Sequence, residues 1–387
     1  MNDCKMEENE PIGMKRNNNI NRKKSLDSNT RLFGFPNIGH SCYMNSVLQI
    51  LLHTPDFLET FKGSNNGITK HPLIDSLIEI SENPKVKSFI KIKNIMAEED
   101  ESYGRQVQND SQEFGINLLN KIITIIKGKI TFEDDFNEEE INTKINKEYK
   151  IQKFENYKNK YYKEETKLEE MFQFHEIMFN FDINDNKIPS YKTIDFNSFL
   201  NIELTFPYNG KKNSYSLSEL LKNKYPKNPL SQINEEDIDN SLMEYLWNKF
   251  IEIMNIIKNY LCDNDNKDEF DNELFFSNLI SLPNILIITI NRAFLGKSLI
   301  KKRLIFKETL DLKDYLENDF LDREIETKYK LYGVNICHKN FFVGGHYYSY
   351  VKINDKWYKF DDNKPVENTN PELESKYVVG LYYIKKN

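Results

Sequence analysis

The hydrophobic periodicity of this chain changes once, near Leu282, and that change limits the fold class. Before it, apolar residues recur at helical spacing in two strong segments; after it, short runs rich in β-branched and aromatic residues predominate. The run ILIITI at 285–290 and the alternating runs at 329–336, 348–353 and 377–384 are typical of strands. We therefore predict an α+β fold, with helices first and a mostly antiparallel sheet after them.

Two segments of the first half have the spacing of amphipathic helices. One follows Ser41, ends before Pro55, and carries an apolar stripe of Met44, Val47, Leu48 and Leu51. The other begins after Asp110, which together with Glu113 has the spacing of a capping box. These two helices are the strongest local predictions that the sequence allows.

Charge and hydropathy exclude several classes of protein. The 387 residues include 53 Lys and Arg against 60 Asp and Glu, so the formal net charge is −7. Nucleic-acid binding usually needs a basic domain, and no apolar stretch approaches the ~18 residues of a membrane span. The polar N-terminus lacks the apolar core of a secretory signal. We expect a monomer of the cytoplasm or nucleus that binds neither nucleic acid nor membrane.

The cysteine spacing argues against a metal site. The four cysteines, at positions 4, 42, 262 and 337, are too scattered to form a CxxC pair. Neither a zinc ribbon nor a disulfide framework can therefore be read from them. We expect no metal and no cofactor.

Cys42 is the first candidate for chemistry. A lone cysteine is most often a small buried hydrophobe, and that interpretation remains open here. However, Cys42 stands at the predicted start of a helix, where the macrodipole favours a thiolate. Gly39 and Ser41 precede it in a turn, and the amide of Asn37 is available to donate to a developing oxyanion.

A base for this nucleophile has to come from six histidines. His40 and His53 are close in sequence, but neither spacing gives a stable imidazole–thiol pair. His346 follows two glycines and opens a strand, and Asp361 and Asp362 end the partner strand of the same hairpin. A carboxylate at that place can orient the imidazole, as in other triads of nucleophile, base and orienter. The residues alone leave this triad as one hypothesis.

Five segments, in order, carry a family resemblance. FPNIGHSCYMNSVLQILLHTP resembles the cysteine box of the ubiquitin-specific proteases, and YGVNICHKNFFVGGHYYSYVKINDKWYKFDDNKPV resembles their histidine box. Between them, RQVQNDSQEFGINLL resembles the QQDxxEF segment, and LPNILIITINRAF with KKRLIFKETLDL resembles the run into the palm sheet. YVVGLYYIKK resembles the closing strand. The resemblance implies a papain-like fold of thumb, palm and fingers.

The resemblance also implies roles for individual residues. Cys42 matches the nucleophile, His346 the general base, Asp361 the third triad member and Asn37 the oxyanion residue, while Asp362 helps or takes over the orienting role. The residues expected to bind the basic C-terminal tail of ubiquitin, LRLRGG, are Gln108, Asp110, Glu113 and Tyr347. Carboxylates suit arginines of such a tail, although Asp110 and Glu113 also fit a plain helix cap.

The implied activity is thiol-dependent hydrolysis after the terminal glycine of ubiquitin. Two alternatives remain: an inactive ubiquitin-binding scaffold of the same fold, and a protease for another ubiquitin-like modifier. One departure from the family concerns the fingers, which commonly hold zinc through two CxxC pairs. That interval here contains only Cys262, so the same absence of metal is expected.

The expected organisation is a polar tail at 1–30 followed by a catalytic domain at 31–387. Basic residues of the tail, at 15, 16 and 22–24, are open to two interpretations, a nuclear-targeting patch or a solvated tail. Within the domain we place the thumb at about 31–130, a charged segment at about 131–170, and fingers and palm at about 171–387. A partly helical insertion is expected at about 209–272.

Overall fold

The structure is a computed structural model of the chain. It divides the chain into Met1–Arg31 and a compact unit from Leu32 to Asn387. The residues it describes are 32–61, 69–128, 147–161, 165–183, 189–207, 212–226, 273–294, 298–320, 325–340 and 344–386. The N-terminal tail and its basic cluster lie outside these ranges.

The described residues contain eight α-helices, seven of which precede the first strand. They are α1 (Cys42–Leu52), α2 (Pro72–Glu82), α3 (Val86–Met96), α4 (Glu101–Gly104), α5 (Ser111–Lys127), α6 (Lys147–Tyr161), α7 (Lys167–Phe172) and α8 (Leu217–Lys224). Short 3₁₀ helices occur at Phe57–Phe61, Lys313–Tyr315 and Asn318–Phe320. No described helix has both the length and the apolar character needed to cross a membrane.

Sixteen strands follow in the described part of the chain. The longer ones are β1 (Phe174–Ile183), β2 (Pro189–Phe199), β3 (Ile202–Thr205), β5 (Glu273–Leu279), β6 (Ile285–Asn291), β11 (Lys328–Asn340), β12 (Gly344–Ile353), β13 (Lys356–Phe360) and β16 (Val378–Lys385). The short ones are β4 (Ser214–Ser216), β7 (Ala293–Phe294), β8 (Ser298–Leu299), β9 (Arg303–Ile305), β10 (Thr309–Asp311), β14 (Glu367–Asn368) and β15 (Glu374–Ser375).

One large sheet, which we call the palm sheet, organises these strands. Its order is β14-β13-β12-β11-β16-β6-β3, and β10 also pairs with β11. All its neighbours are antiparallel except β3 and β6. A separate antiparallel sheet of β2, β1 and β5 forms the fingers. Helices first and a mostly antiparallel sheet afterwards is the α+β arrangement that the sequence predicts.

The palm sheet is buried on both faces at its centre. In β6, Ile285 and Ile287 pack with the helices, whereas Leu286 and Ile288 belong to a second core on the opposite face. This two-sided burial explains why ILIITI is a continuous apolar run rather than an alternating one.

The helix α1, which begins at the candidate nucleophile Cys42, is also buried on every side. All residues from Cys42 to Leu51 are buried, including the polar Asn45, Ser46 and Gln49. These polar side chains reach main-chain carbonyls, with Gln49 donating to Phe33 at 3.0 Å. The sequence predicted the apolar stripe of this helix, but it gave no sign that the polar stripe is buried as well.

The two segments without clear chemistry are only partly described. Of the charged segment, α6 is described and packs on the fingers through Phe154, which contacts Phe196 at a ring distance of 5.2 Å. Of the insertion, 212–226 is described and contains α8. The predicted helical stretch at 241–261 lies outside the described residues.

The close approach of α1 to β11 depends on Gly333. A Cβ atom built on Gly333 lies 2.7 Å from Cγ2 of Ile50 and 3.1 Å from Cβ of Tyr382. Both neighbours belong to the core, so they have little room to move. A side chain at this position would therefore push the nucleophile helix away from the palm sheet.

We predict that Gly333→Ala lowers the free energy of unfolding by about 1–3 kcal/mol, because it overpacks this contact. Ile50→Leu removes the Cγ2 methyl group, so the double variant should recover part of the loss. Urea unfolding of both single variants and the double variant measures the coupling. A Gly333→Ala protein as stable as the unchanged chain would show that the contact is not tight.

Candidate active site

A side-chain-closed turn leads into α1. Oδ1 of Asn37 accepts hydrogen bonds from the main-chain N–H groups of Gly39 at 3.0 Å and Ser41 at 3.3 Å. The Ser41 hydroxyl in turn accepts from the N–H of Ile38 at 2.9 Å. These contacts fix the carbonyl oxygen of the Asn37 amide inside the turn, so its NH₂ group points outward.

The backbone conformation at Gly39 favours glycine in this turn. Its φ is +96°, which L side chains rarely adopt, and His40 beside it also has a positive φ of +49°. A Cβ on Gly39 would lie 2.0 Å from Oε1 of Gln106. Because the Gln106 side chain is exposed and can move away, the backbone conformation rather than the space is what favours glycine in this turn.

The structure brings Cys42, His346 and Asp361 together. Cys42 is the first residue of α1 and is 4% exposed, and its thiol hydrogen-bonds to the half-buried His346. Nε2 of His346 lies 2.6 Å from Oδ1 of Asp361. The three residues come from α1, β12 and the turn after β13, and they form the predicted constellation of nucleophile, base and orienter.

The electrostatics of this group favour a charged imidazole. The hydrogen bonds to Asp361 and then to Cys42 outweigh burial and raise the pKa of His346 to about 10. Burial raises the pKa of Asp361, but the hydrogen bonds from His346 and Lys364 outweigh it and lower that pKa to about 2. At neutral pH the imidazolium and the carboxylate therefore face each other.

Asp362 has a different set of partners from Asp361. Its Oδ2 accepts from the Asn37 amide at 2.8 Å and its Oδ1 accepts from the Asn45 amide at 2.8 Å. Asp362 has a positive φ of +49°, and its carboxylate has different partners from that of Asp361, although donor atoms of both lie within 4.8 Å of each other. The structure thus places Asp361 on His346 and Asp362 on the oxyanion candidate Asn37.

Asn45 is a site residue that the sequence reasoning missed. It is 2% exposed and also donates to the carbonyl of Pro36 at 3.1 Å, so it links α1 to the segment before the turn. Its spacing from Cys42, one turn along the helix, was an available signal because such residues share a face.

Gln108 lies at the thiol rather than in the tail cavity. Its Nε2 is 3.3 Å from Sγ of Cys42 and also donates to the carbonyl oxygen of Gly345. The amide therefore bridges the nucleophile and the start of β12. Sequence reasoning assigned this residue to tail binding, and the spacing alone did not indicate its place beside the sulfur.

The other predicted tail-binding residues line one cavity of about 720 Å³. Asp110 and Glu113 stand on the first turn of α5 at its wall, and Tyr347, only 2% exposed, forms part of the opposite wall. Glu203 of β3 and Arg292, after β6, line it as well. The cavity lies between the first turn of α5 and the palm sheet.

The predicted capping box is present only in part. Oδ1 of Asp110 accepts from the N–H groups of Gln112 at 2.7 Å and Glu113 at 3.4 Å. Among the hydrogen bonds described for this helix, none joins the Glu113 side chain to the main-chain N–H of Asp110, which a full capping box requires. Burial, and then the carboxylates of Asp110 and Asp100, raise the pKa of Glu113. A cationic ligand bound beside Glu113 would lower this pKa and stabilise the carboxylate.

His346, Asp361 and Asp362 are also the described group with metal-ligand spacing, since their donor atoms lie within 4.8 Å of one another. Asp361 already binds His346 and Lys364, and both oxygens of Asp362 accept from amides. We therefore assign these side chains to each other rather than to a metal.

The comparisons with known proteins agree with this geometry. A family model described as ubiquitin carboxyl-terminal hydrolase matches residues 33–383. The chain belongs to the ubiquitin carboxyl-terminal hydrolase family. This confirms the resemblance to ubiquitin-specific proteases that the cysteine and histidine boxes carry.

The relatives are distant. Ubiquitin carboxyl-terminal hydrolase 16 of Arabidopsis thaliana is 36% identical over 107 residues, which is 27% of this chain and 10% of that protein. Ubiquitin carboxyl-terminal hydrolase 4 of Saccharomyces cerevisiae (strain ATCC 204508 / S288c) is 22% identical over 405 residues, covering 90% of this chain and 39% of that protein. The chain thus spans well under half the length of these curated relatives.

A solved structure shows the same fold. It is the SAGA Ubp8/Sgf11/Sus1/Sgf73 DUB module bound to ubiquitin aldehyde, with a TM-score of 0.59 at 18% identity. The match covers 94% of this chain and 71% of that one. It confirms the predicted α+β, ubiquitin-specific-protease fold.

We predict that Asp361→Ala lowers kcat on a fluorogenic ubiquitin conjugate by roughly a hundredfold or more, because the imidazole loses its orienting carboxylate. The same change should lower the pKa of His346, as read by NMR of labelled histidine. Asp362→Ala should cost less in kcat and leave that pKa in place, since its carboxylate holds Asn37 and Asn45. The reverse order of the two variants would reassign the triad.

Proposed function

We propose that this chain is a thiol-dependent deubiquitinase that hydrolyses the peptide or isopeptide bond after the C-terminal glycine of ubiquitin. The observation that carries the proposal is the assembly of Cys42, His346 and Asp361 near a cavity that Asp110 and Glu113 help to line. Family membership supports the reaction class. The partners are then ubiquitin and ubiquitinated proteins, and the cytoplasmic or nuclear location stays a prediction.

The chemistry follows from the contacts. The Cys42 thiolate attacks the glycine carbonyl, and its own N–H at the start of α1 and the outward NH₂ of Asn37 hold the oxyanion. One hydrogen of that NH₂ is bound to Asp362, which leaves the other for the substrate. His346 then gives its proton to the leaving lysine amine and later activates the water that releases the acyl group.

Gln108 gives this site one more amide donor. Because its Nε2 lies 3.3 Å from Sγ of Cys42, it is close to any carbonyl that the sulfur attacks. We assign it to the reacting centre in the proposed mechanism, and we leave tail binding to the residues of the cavity. Tyr347 fits as a wall there, because its ring is buried and its hydroxyl contacts Cys337.

The intact group of side chains disfavours the inactive scaffold. Such a scaffold needs neither an aligned imidazole nor a carboxylate on it, yet His346 and Asp361 are 2.6 Å apart. A protease for another ubiquitin-like modifier has the same chemistry and differs only in the tail that it accepts. Reaction with a panel of ubiquitin-like proteins that carry a C-terminal electrophile separates these functions.

We predict that Cys42→Ala abolishes hydrolysis of a fluorogenic ubiquitin conjugate and retains ubiquitin binding, because only the sulfur is lost. Stopped-flow fluorescence and a binding titration are the two measurements. Cys4→Ala is the matched control, because Cys4 belongs to the polar tail at 1–30, outside the catalytic domain that the sequence predicts. Full turnover by the Cys42→Ala protein would refute the proposed nucleophile.

A separate prediction concerns the tail. Asp110→Asn keeps an oxygen that accepts from the two N–H groups of α5, and Asn is itself a good helix cap, so the variant should fold normally. It loses the charge offered to a tail arginine, a contact worth ~1.5–3 kcal/mol, so KM should rise roughly ten- to a hundredfold. Cys42 should still react with a small thiol reagent.

Asp311→Asn is the matched control for this variant, because Oδ1 of Asp311 accepts from the N–H of Lys313 in a similar way and Asp311 does not line the cavity. The defect of Asp110→Asn should shrink with a ubiquitin whose tail arginines are neutral. An unstable protein, or an equal defect with both ubiquitins, would show that Asp110 is only structural.

A further inference from the structure

The second oxygen of Asp361 is bound to a lysine. While Oδ1 faces His346, Oδ2 accepts from Nζ of Lys364 at 2.9 Å. The main-chain N–H of Lys364 also donates to the carbonyl of Asp361 at 3.1 Å, which closes the turn after β13. The lysine is thus folded back on the residue that orients the imidazole.

We propose that Lys364 is a positioning residue that shares the charge of Asp361 and thereby sets how tightly His346 holds its proton. The inference rests on the proposed function only in giving His346 the acid–base role. The geometry is that of one carboxylate between two cationic groups, an imidazolium on one oxygen and an ammonium on the other.

The physical effect has a definite sign. A carboxylate stabilises the imidazolium, and a cation on the same carboxylate opposes that stabilisation. Removing the ammonium therefore raises the pKa of His346. A proton donor works best when its pKa lies near the operating pH, so a more basic His346 is a poorer acid for the leaving amine.

Other charged groups around Asp361 do not replace Lys364. Lys359 of β13 has its Nζ 3.9 Å from Oδ2 of Asp361 but is shared with Glu367 at 3.8 Å. The remaining titratable groups that act on this cluster are Cys42, Asp362, Tyr348 and Tyr350. None of these four supplies a cation, so Lys364 is the principal positive charge on Oδ2 within the described residues.

The test is a titration of His346 in the full chain by NMR of ¹³C-labelled histidine, between pH 5 and 12. The chain has six histidines, and His346→Gln assigns the signal. In Lys364→Met the pKa of His346 should rise by about half a unit to one unit at low salt. Lys364→Arg keeps the charge and should match the unchanged chain.

Lys352→Met is the control, because Lys352 pairs with Glu308 at 3.0 Å and belongs to the same strand as His346. It should leave the pKa of His346 unchanged. The side chain of Lys364 is 61% exposed, so the difference that Lys364→Met makes should shrink in 1 M salt. In activity assays of Lys364→Met, the alkaline limb of the pH profile of kcat/KM should shift to higher pH by the same amount as the pKa of His346.

An unchanged or lower pKa of His346 in Lys364→Met would overturn the proposal, since it would mean that the lysine only holds the turn. The same holds if Lys364→Arg behaves like Lys364→Met, or if Lys352→Met produces an equal shift. The NMR titration needs no ubiquitin. It therefore gives its answer even if the chain proves not to hydrolyse ubiquitin conjugates.

Discussion

The hydrogen bonds of Asp362 join the two parts of the site, which are the segment around α1 and the turn after β13. Its carboxylate joins Asn37 before α1 to Asn45 within α1, and its carbonyl accepts from the N–H of Phe35 at 2.8 Å. These bonds offset the cost of its left-handed backbone, which Asp tolerates better than most residues. Because Asp361 precedes it in the same turn, any movement of this turn displaces the base and the oxyanion donor together. The positions of Cys42, His346 and Asn37 are therefore not independent of one another.

That dependence extends into the packing. The site lies where α1 meets β11 and β12, and a buried helix cannot shift without moving the core around it. Gly333 allows the close contact on one side, and the turn closed by Asn37 fixes the start of the helix on the other. The catalytic distances thus depend on both the hydrophobic core and a short network of amide and carboxylate hydrogen bonds.

The sequence predicted those features whose signal is local or periodic. The stripe of α1, the strands of the palm and the α+β order follow from spacing. The sequence did not predict contacts between residues that are far apart in the chain. Gln108 reaches Cys42 across 66 positions of sequence, and the helix α6 is attached by a buried ion pair between Lys150 and Glu317, 167 positions apart. In the sequence, Gln108 and Lys150 look like ordinary polar residues, because only the fold shows which side chains they contact.

The first turn of α5 shows how one residue can serve both stability and recognition. Capping occupies only Oδ1 of Asp110, so its other oxygen remains available at the cavity. Within the described part of the chain, neither Asp110 nor Glu113 forms an ion pair, and Glu113 has a raised pKa. A ligand that brings a cation close to these two carboxylates would stabilise the charged form of Glu113, although Arg292, Lys301 and Lys376 also line the cavity. The cap and the cavity wall are therefore a single arrangement, and under the proposed function the same helix start stabilises α5 and receives the basic tail.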